Sequence, residues 1–445
     1  MSKAKASIFE MDGVPELSQA LPLALQHVVA MIVGCVTPAI IVSGVAGLNA
    51  KDRVVLIQAA LFVSAISTLL QLFPIIIGKN FQLGAKLPVI MGISFAYVPS
   101  MQAIAGQYDV GTILGAQIMG GIIAIIVGLT VKKIRVLFPP IITGTVVFTI
   151  GLSLYPTAVN YMAGGASSEN YGSWQNWLVA IFTLAVVTGL NHFAKGFLKL
   201  ASILVGIIAG YILAACFSMI DFSGIASSGI FQLPQPLYFG VRFEPSACVA
   251  IGVLFAINSI QAIGDLSATT VGSMDREPTT KELQGGILMY GIENIIGAVF
   301  GGLPTATYSQ NVGIVTTTKV INRCVLGLAA VVLIIAGLVP KFSALLTTIP
   351  QCVLGGATIS VFASIAMTGI KLVMQQEMNY RNTSIVGLSV ALGMGVTQAS
   401  ASLSAFPDWV TTIFGSSPVV LATIVAILLN LILPKEEKKQ SVSKK

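Results

Sequence analysis

Apolar residues run along this chain in long blocks separated by short polar, glycine-bearing or proline-bearing stretches. The blocks fall at roughly 21–48, 54–78, 87–106, 112–131, 136–155, 174–194, 200–220, 245–272, 283–303, 304–320, 324–340, 345–371, 382–398 and 417–434. A helix needs about 20 apolar residues to cross a bilayer, so the pattern predicts an all-α polytopic membrane protein with 14 transmembrane segments. Two of these, 87–106 and 304–320, are irregular.

Composition narrows the class. Hydrophobic residues make up 55% of the chain and charged residues 9%, against about 25% charged in soluble proteins. A soluble enzyme and a disordered chain are excluded. The cysteines Cys35, Cys216, Cys248, Cys324 and Cys352 show no metal-ligand or redox spacing and read as small core residues. The net charge of +7 is spread through short loops, which argues against a nucleic-acid partner. With the N-terminus inside, 20 of the 24 basic residues fall on the cytoplasmic side, and only Lys51, Arg53, Arg242 and Lys341 fall outside. The expectation is a plasma-membrane protein with both termini cytoplasmic. The first twenty residues carry Glu10, Asp12 and Glu16 and no leader pattern, so the first block is expected as a mature helix. The basic tail 435–445 reads as a topogenic, solvated end, with lipid head groups as a weaker partner.

Two internal echoes point to a duplicated architecture. Leu87-Pro88 followed by Ser94-Phe95 is matched 216 residues on (303 minus 87) by Leu303-Pro304 followed by Ser309-Gln310. Gly128, Pro140 and Gly144 are echoed by Gly337, Pro350 and Gly355. With seven segments per half, the second half must be inverted relative to the first. The competing reading is coincidence among 44 Gly and 19 Pro.

The irregular segments hold the unusual chemistry. Thr305, Thr307, Tyr308, Ser309, Gln310 and Asn311 follow Pro304, and lipid could not solvate so many polar groups. A short extended piece feeding a half-helix fits the pattern, as does Gly92-Ile93-Ser94-Phe95 in the first half. Two half-helix N-termini would then frame a polar pocket at the bilayer midplane.

Of the acidic residues only Asp265 and Glu293 lie deep in a predicted span. His27 follows Gln26 inside the first span, where a structural histidine and a solute-site or proton-relay histidine are both open readings. His192, beside Lys195, reads as an interfacial residue. Gln261 and Asp265 are spaced i, i+4 and share a helix face, either lining a site or joining helices by hydrogen bonds. Signatures for zinc proteases, serine hydrolases and P-loop NTPases are absent, so neither an enzyme nor an ATP-driven pump is expected. A passive or ion-coupled carrier remains.

The run Gln310-Asn311-Val312-Gly313-Ile314-Val315-Thr316-Thr317-Thr318-Lys319 resembles the signature of the nucleobase–ascorbate transporter family, also called nucleobase:cation symporter-2. Gln26-His27, Ser94-Phe95 and Gln261-Ala262-Ile263-Gly264-Asp265 resemble its motifs in the first, third and eighth spans. The resemblance, to the bacterial xanthine/urate permease type, implies two inverted seven-segment repeats with short β-strands before half-helices in segments 3 and 10. It implies a cytoplasmic tail at 1–20 and a core domain at 21–131 and 245–343. A gate domain would occupy 132–244 and 344–434, ahead of the 435–445 tail. It further implies a homodimer and an elevator mechanism importing a purine nucleobase with a cation, H+ ahead of Na+, and no cofactor. Phe95, Ser94, Gln261, Tyr308, Ser309, Gln310 and Asn311 would bind substrate. His27, Gln26, Asp265, Glu293, Gly313 and Thr318 would serve ion coupling or support the site.

Two departures matter. Gln261 stands where xanthine and urate members carry Glu, and an amide donates and accepts but cannot titrate. Tyr290 stands where several purine members carry Asp, with Glu293 on the same helix face. A uracil carrier and an anion transporter of the same inverted-repeat fold are the rival readings.

Overall fold

The computed structural model describes residues 7–77, 81–130, 139–166, 168–226, 228–407, 410–415 and 417–434. Lys3, Lys5, Lys79, Lys132, Lys133, Arg135 and the tail 435–445 lie outside the described residues.

The chain is mostly helical. The first half contains α1 (Leu17–Val45), α2 (Ala50–Leu72), α3 (Val98–Gln107), α4 (Val110–Leu129), α5 (Pro140–Met162), α6 (Trp174–Phe193) and α7 (Ser202–Cys216). The second contains α8 (Pro245–Met274), α9 (Thr280–Val299), α10 (Ser309–Thr318), α11 (Arg323–Gly337), α12 (Pro340–Thr347), α13 (Gln351–Val373), α14 (Tyr380–Gln398) and α15 (Pro418–Ile432). Among the described residues, seven helices are long and apolar enough to cross a membrane, or eight if the bent pair α11–α12 is one span. Helix starts follow local chemistry. Asn49, Asp109, Ser173, Thr279, Asn322 and Asn379 accept a backbone N–H from the first turn, and proline opens α5, α8, α12 and α15, where its missing N–H costs nothing.

One expected block breaks in two. The apolar stretch 345–371 is expected as one segment, but the helix begins only at Gln351, after Pro350. The preceding Pro340–Thr347 is a separate helix bent 82° from α11. Proline lacks an N–H and clashes with the turn before it, so both breaks fall at Pro340 and Pro350.

Helices pack in two sets. In one, α4 packs on α8 and α9, and α2 on α11, α1 and α9; in the other, α13 packs on α5 and α6, and α14 on α15. The α5–α13 crossing brings backbones into contact through glycine. A Cβ at Gly369 would stand 2.2 Å from the Phe148 nitrogen and 2.8 Å from the Gly144 oxygen. In lipid, where apolar burial drives little association, such close packing holds helices together. Gly369→Leu is therefore expected to destabilise the pair by about 1–3 kcal/mol or more, read as a lower melting temperature in detergent. An unchanged melt would exclude backbone contact at this crossing.

A strap at the N-terminus binds one end of the α2–α11 pair. The Asn322 amide donates to the Glu10 and Gly13 carbonyls at 3.0 and 3.2 Å. Asp12 pairs with Arg323 and, at 3.6 Å, with Lys86. The Arg323 guanidinium holds the Asp12 carboxyl below the usual carboxylate range.

Two strands meet at the centre of the molecule: β1 (Met91–Ile93) pairs antiparallel with β2 (Thr305–Thr307), Gly92 opposite Ala306. Ser94 N–H donates to Pro304 O at 3.0 Å and Tyr308 N–H to Ile90 O at 2.9 Å, so the ladder centres on Gly92–Ala306. The two halves are therefore related here by 214 residues (308 minus 94, and 304 minus 90), not by the 216 of the Leu-Pro echo. Leu87-Pro88 simply lies two residues further ahead of its strand than Leu303-Pro304 does.

Candidate functional site

A two-stranded sheet has two outer edges, and inside a membrane protein each must find partners. On β1 the Thr68 hydroxyl of α2 accepts from Met91 N–H at 2.9 Å. On β2 the Asn294 side chain of α9 accepts from Thr305 N–H at 2.8 Å. Side chains thus cap one N–H on each outer edge of the sheet.

Each strand feeds a helix start. After β1, Ser94 caps a short 3₁₀ turn, Phe95–Tyr97, that continues into α3. After β2, Tyr308 precedes α10. Antiparallel pairing sends α3 and α10 in opposite directions from a common centre, so both N-terminal ends, with their unpaired donors and positive dipole ends, adjoin it. Gly92 permits the approach: a Cβ there would lie 2.4 Å from the Tyr308 ring and 2.8 Å from Cys35 Sγ.

A cavity of about 270 Å³ opens at this junction, a size suited to a small ligand rather than a drug-sized one. Its first wall comes from Ile93, Ser94, Phe95, Ala96, Gln261, Thr307, Tyr308, Ser309 and Gln310. Facing them are Val147 and Ile150 of α5 with Val361, Ser364, Ile365 and Thr368 of α13. Phe95 meets Phe362 of α13 edge-on, centroids 5.2 Å apart, so an aromatic contact joins the two walls.

Six of the seven sequence-expected substrate residues line this cavity: Ser94, Phe95, Gln261, Tyr308, Ser309 and Gln310. The side chains of Gln261 and Gln310 make no hydrogen bond within the described residues, leaving two amides, each a donor and an acceptor, for a ligand. Asn311 turns away from the cavity. Its amide donates to His27 Nδ1 at 3.0 Å and to His27 O at 3.2 Å, tying α10 to α1. With Nδ1 accepting, the ring proton sits on Nε2. Gln26 is half-buried and does not line the cavity.

Asp265 stands just behind the lining. Thr307 donates to one of its oxygens, and Ser309 to the other at 3.0 Å. Glu293 lies elsewhere, buried behind the sheet, where Gln71 donates to it at 3.3 Å and the second oxygen has no hydrogen-bond partner among the described atoms. Tyr290, one turn earlier, hydrogen-bonds the Tyr97 hydroxyl and packs on Phe255, ring centroids 5.5 Å apart. Gly313 faces open space, and Thr318 donates to Ile314 O at the far end of α10 from the cavity. Sequence reasoning missed the α5 and α13 wall, although Ser360, Ser364 and Thr368 form a polar i, i+4 stripe of the same kind as Gln261 and Asp265. It also missed Asn294 and Gln71, the latter joined to Gly286 and Glu293 far along the chain.

The family model described as "Permease family" matches residues 18–402. The chain belongs to the nucleobase–ascorbate transporter family. A xanthine permease of Bacillus subtilis is 32% identical, covering 93% of each chain. A uric acid permease of the same organism is 35% identical over 93% of this chain and 95% of its own. The transmembrane domain of a cyanobacterial bicarbonate transporter shares the fold, with a TM-score of 0.57 at 18% identity over 92% of this chain and 97% of that one. These relatives are permeases rather than enzymes, and this transporter is a multi-pass membrane protein.

Proposed function

We propose that this transporter imports a purine nucleobase, namely xanthine, urate or a guanine-like oxopurine, together with a cation, H+ ahead of Na+. The observation that carries the reading is the pair of unpartnered amides, Gln261 and Gln310, sharing one small cavity with Phe95. A planar heterocycle with alternating N–H and C=O groups needs bidentate amides and an aromatic face. Relatives named for xanthine and uric acid support the substrate class.

The two packing sets correspond to a moving core (segments 1–4 and 8–11) and a gate (5–7 and 12–14), within 14 spans arranged as inverted repeats. The cavity lies between them, as an elevator mechanism requires. The transporter works as a homodimer in the plasma membrane, lipid around it and both termini cytoplasmic. Asp265, Glu293 and His27 are the candidate proton carriers.

Uptake of radiolabelled xanthine, urate, guanine and uracil into proteoliposomes tests this, first under a proton gradient and then under a sodium gradient, with sulfate and bicarbonate as competitors. Accumulation of a purine under the proton gradient is expected. Uptake of uracil alone would move the substrate class, and competition by the inorganic anions without purine uptake would replace the proposal with an anion carrier.

A further inference from the structure

A hydroxyl carries one hydrogen and two lone pairs, so the direction in which it donates decides what it can offer a ligand. Around the cavity those directions are set by the protein. Ser364 donates to Ser360 O and Thr368 to Ser364 O, both at 2.9 Å; a carbonyl oxygen has no hydrogen to give, so the hydroxyls must be the donors. On the other wall Thr307 and Ser309 donate to Asp265, and Tyr308 donates to Ile93 O at 2.9 Å. Ser94, which accepts from Ala96 N–H at 3.2 Å, is the one cavity hydroxyl whose hydrogen has no acceptor among the described residues.

The polar lining is therefore sorted. Donors to a ligand come from the amides of Gln261 and Gln310, the Ser94 hydroxyl and helix-start N–H groups, while the α13 hydroxyls, their hydrogens given to backbone carbonyls, turn lone pairs to the cavity. Ser364 and Thr368 are both exposed to the cavity side, one helical turn apart.

Building on the purine reading, we infer that Ser364 and Thr368 are specificity residues that accept hydrogen bonds from the imidazole N–H of the carried base. The alternating N–H and C=O groups of the pyrimidine-dione edge pair with the two glutamine amides, which leaves the imidazole edge to face α13. A base with no N–H on that edge leaves two lone-pair-bearing groups facing its ring without a donor. Sulfate, which only accepts, gains nothing from this wall.

The test is binding to purified protein in lipid nanodiscs, comparing xanthine with 1-, 7- and 9-methylxanthine. The native protein is expected to prefer xanthine to the 7- or 9-methyl compound by tenfold or more. In Ser364→Ala/Thr368→Val that preference falls about tenfold, through weaker xanthine binding, while discrimination against 1-methylxanthine is kept. Ser364→Thr and Thr368→Ser, which keep the hydroxyls, restore it. Retained 1-methylxanthine discrimination shows that the variant site is folded. An unchanged preference in the double variant, or no preference in the native protein, overturns the inference. A native protein that binds none of these purines instead overturns the purine reading on which it rests.

Discussion

Gln261→Ala and Gln310→Ala are each expected to reduce purine uptake by about thirtyfold or more while leaving the amount of protein in the membrane unchanged. Each amide offers a ligand one donor and one acceptor, and removing both bonds forfeits about 2–3 kcal/mol. The loss falls on binding because neither side chain hydrogen-bonds to the described protein, so neither holds the fold together. Gln310 is the second residue of α10, and Gln261 lies on α8, which packs directly against α10. The two amides thus approach a ligand from neighbouring helices of one packing set. Initial uptake rates normalised to membrane expression measure the effect. Normal uptake by both variants would remove these residues from the site, and a loss matched by missing protein would make them structural.

Glu293→Gln is expected to abolish gradient-driven accumulation while sparing exchange of internal for external base. The variant keeps the volume and the Gln71 contact of the carboxyl but cannot take up a proton. Glu293 has the traits of a coupling acid: it is buried, and among the described residues its second oxygen has no geometric hydrogen bond and no salt bridge reaches it. It also contacts the elements that bear the site. Gln71, which donates to it, accepts from Ala85 N–H at 3.0 Å just ahead of β1 and donates to Gly286 O of α9 at 2.9 Å. A change of charge at Glu293 would thus be felt by α2, α9 and the approach to β1. In proteoliposomes, the native accumulation ratio should rise as the outside is made more acidic than the inside, and the variant's ratio should stay near one. Acid-driven accumulation that survives the substitution would transfer the proton to Asp265 or His27.

The elements nearest the site differ in how far the sequence exposes them. Leu303-Pro304 and the polar run behind it mark a segment that lipid cannot solvate, and the helix start at Ser309 follows from that run alone. Gln261 and Asp265 announce a common face by their spacing. The α13 wall carries the same kind of signal in Ser360, Ser364 and Thr368, but within a long apolar helix nothing local says whether such a stripe faces a cavity or a neighbouring helix. Gln26 and His27 show the limit at its narrowest. Adjacent residues on a helix point about 100° apart, and only the position of α10 decides that His27 meets Asn311 while Gln26 does not reach the cavity.

By itself the sequence determined the apolar blocks, most helix starts, the two irregular segments and the family, because each rests on residues close together or on a short motif. Tertiary structure alone decided that β1 pairs with β2 in a ladder centred on Gly92 and Ala306, and that Thr68 and Asn294 each cap one N–H on an outer edge. It also decided that Asp265 sits against the cavity while Glu293 lies behind the sheet. For the sheet the physical reason is that a backbone group buried away from water takes its partner from whatever the fold brings beside it. Here those partners lie up to hundreds of residues away, beyond the reach of any local pattern.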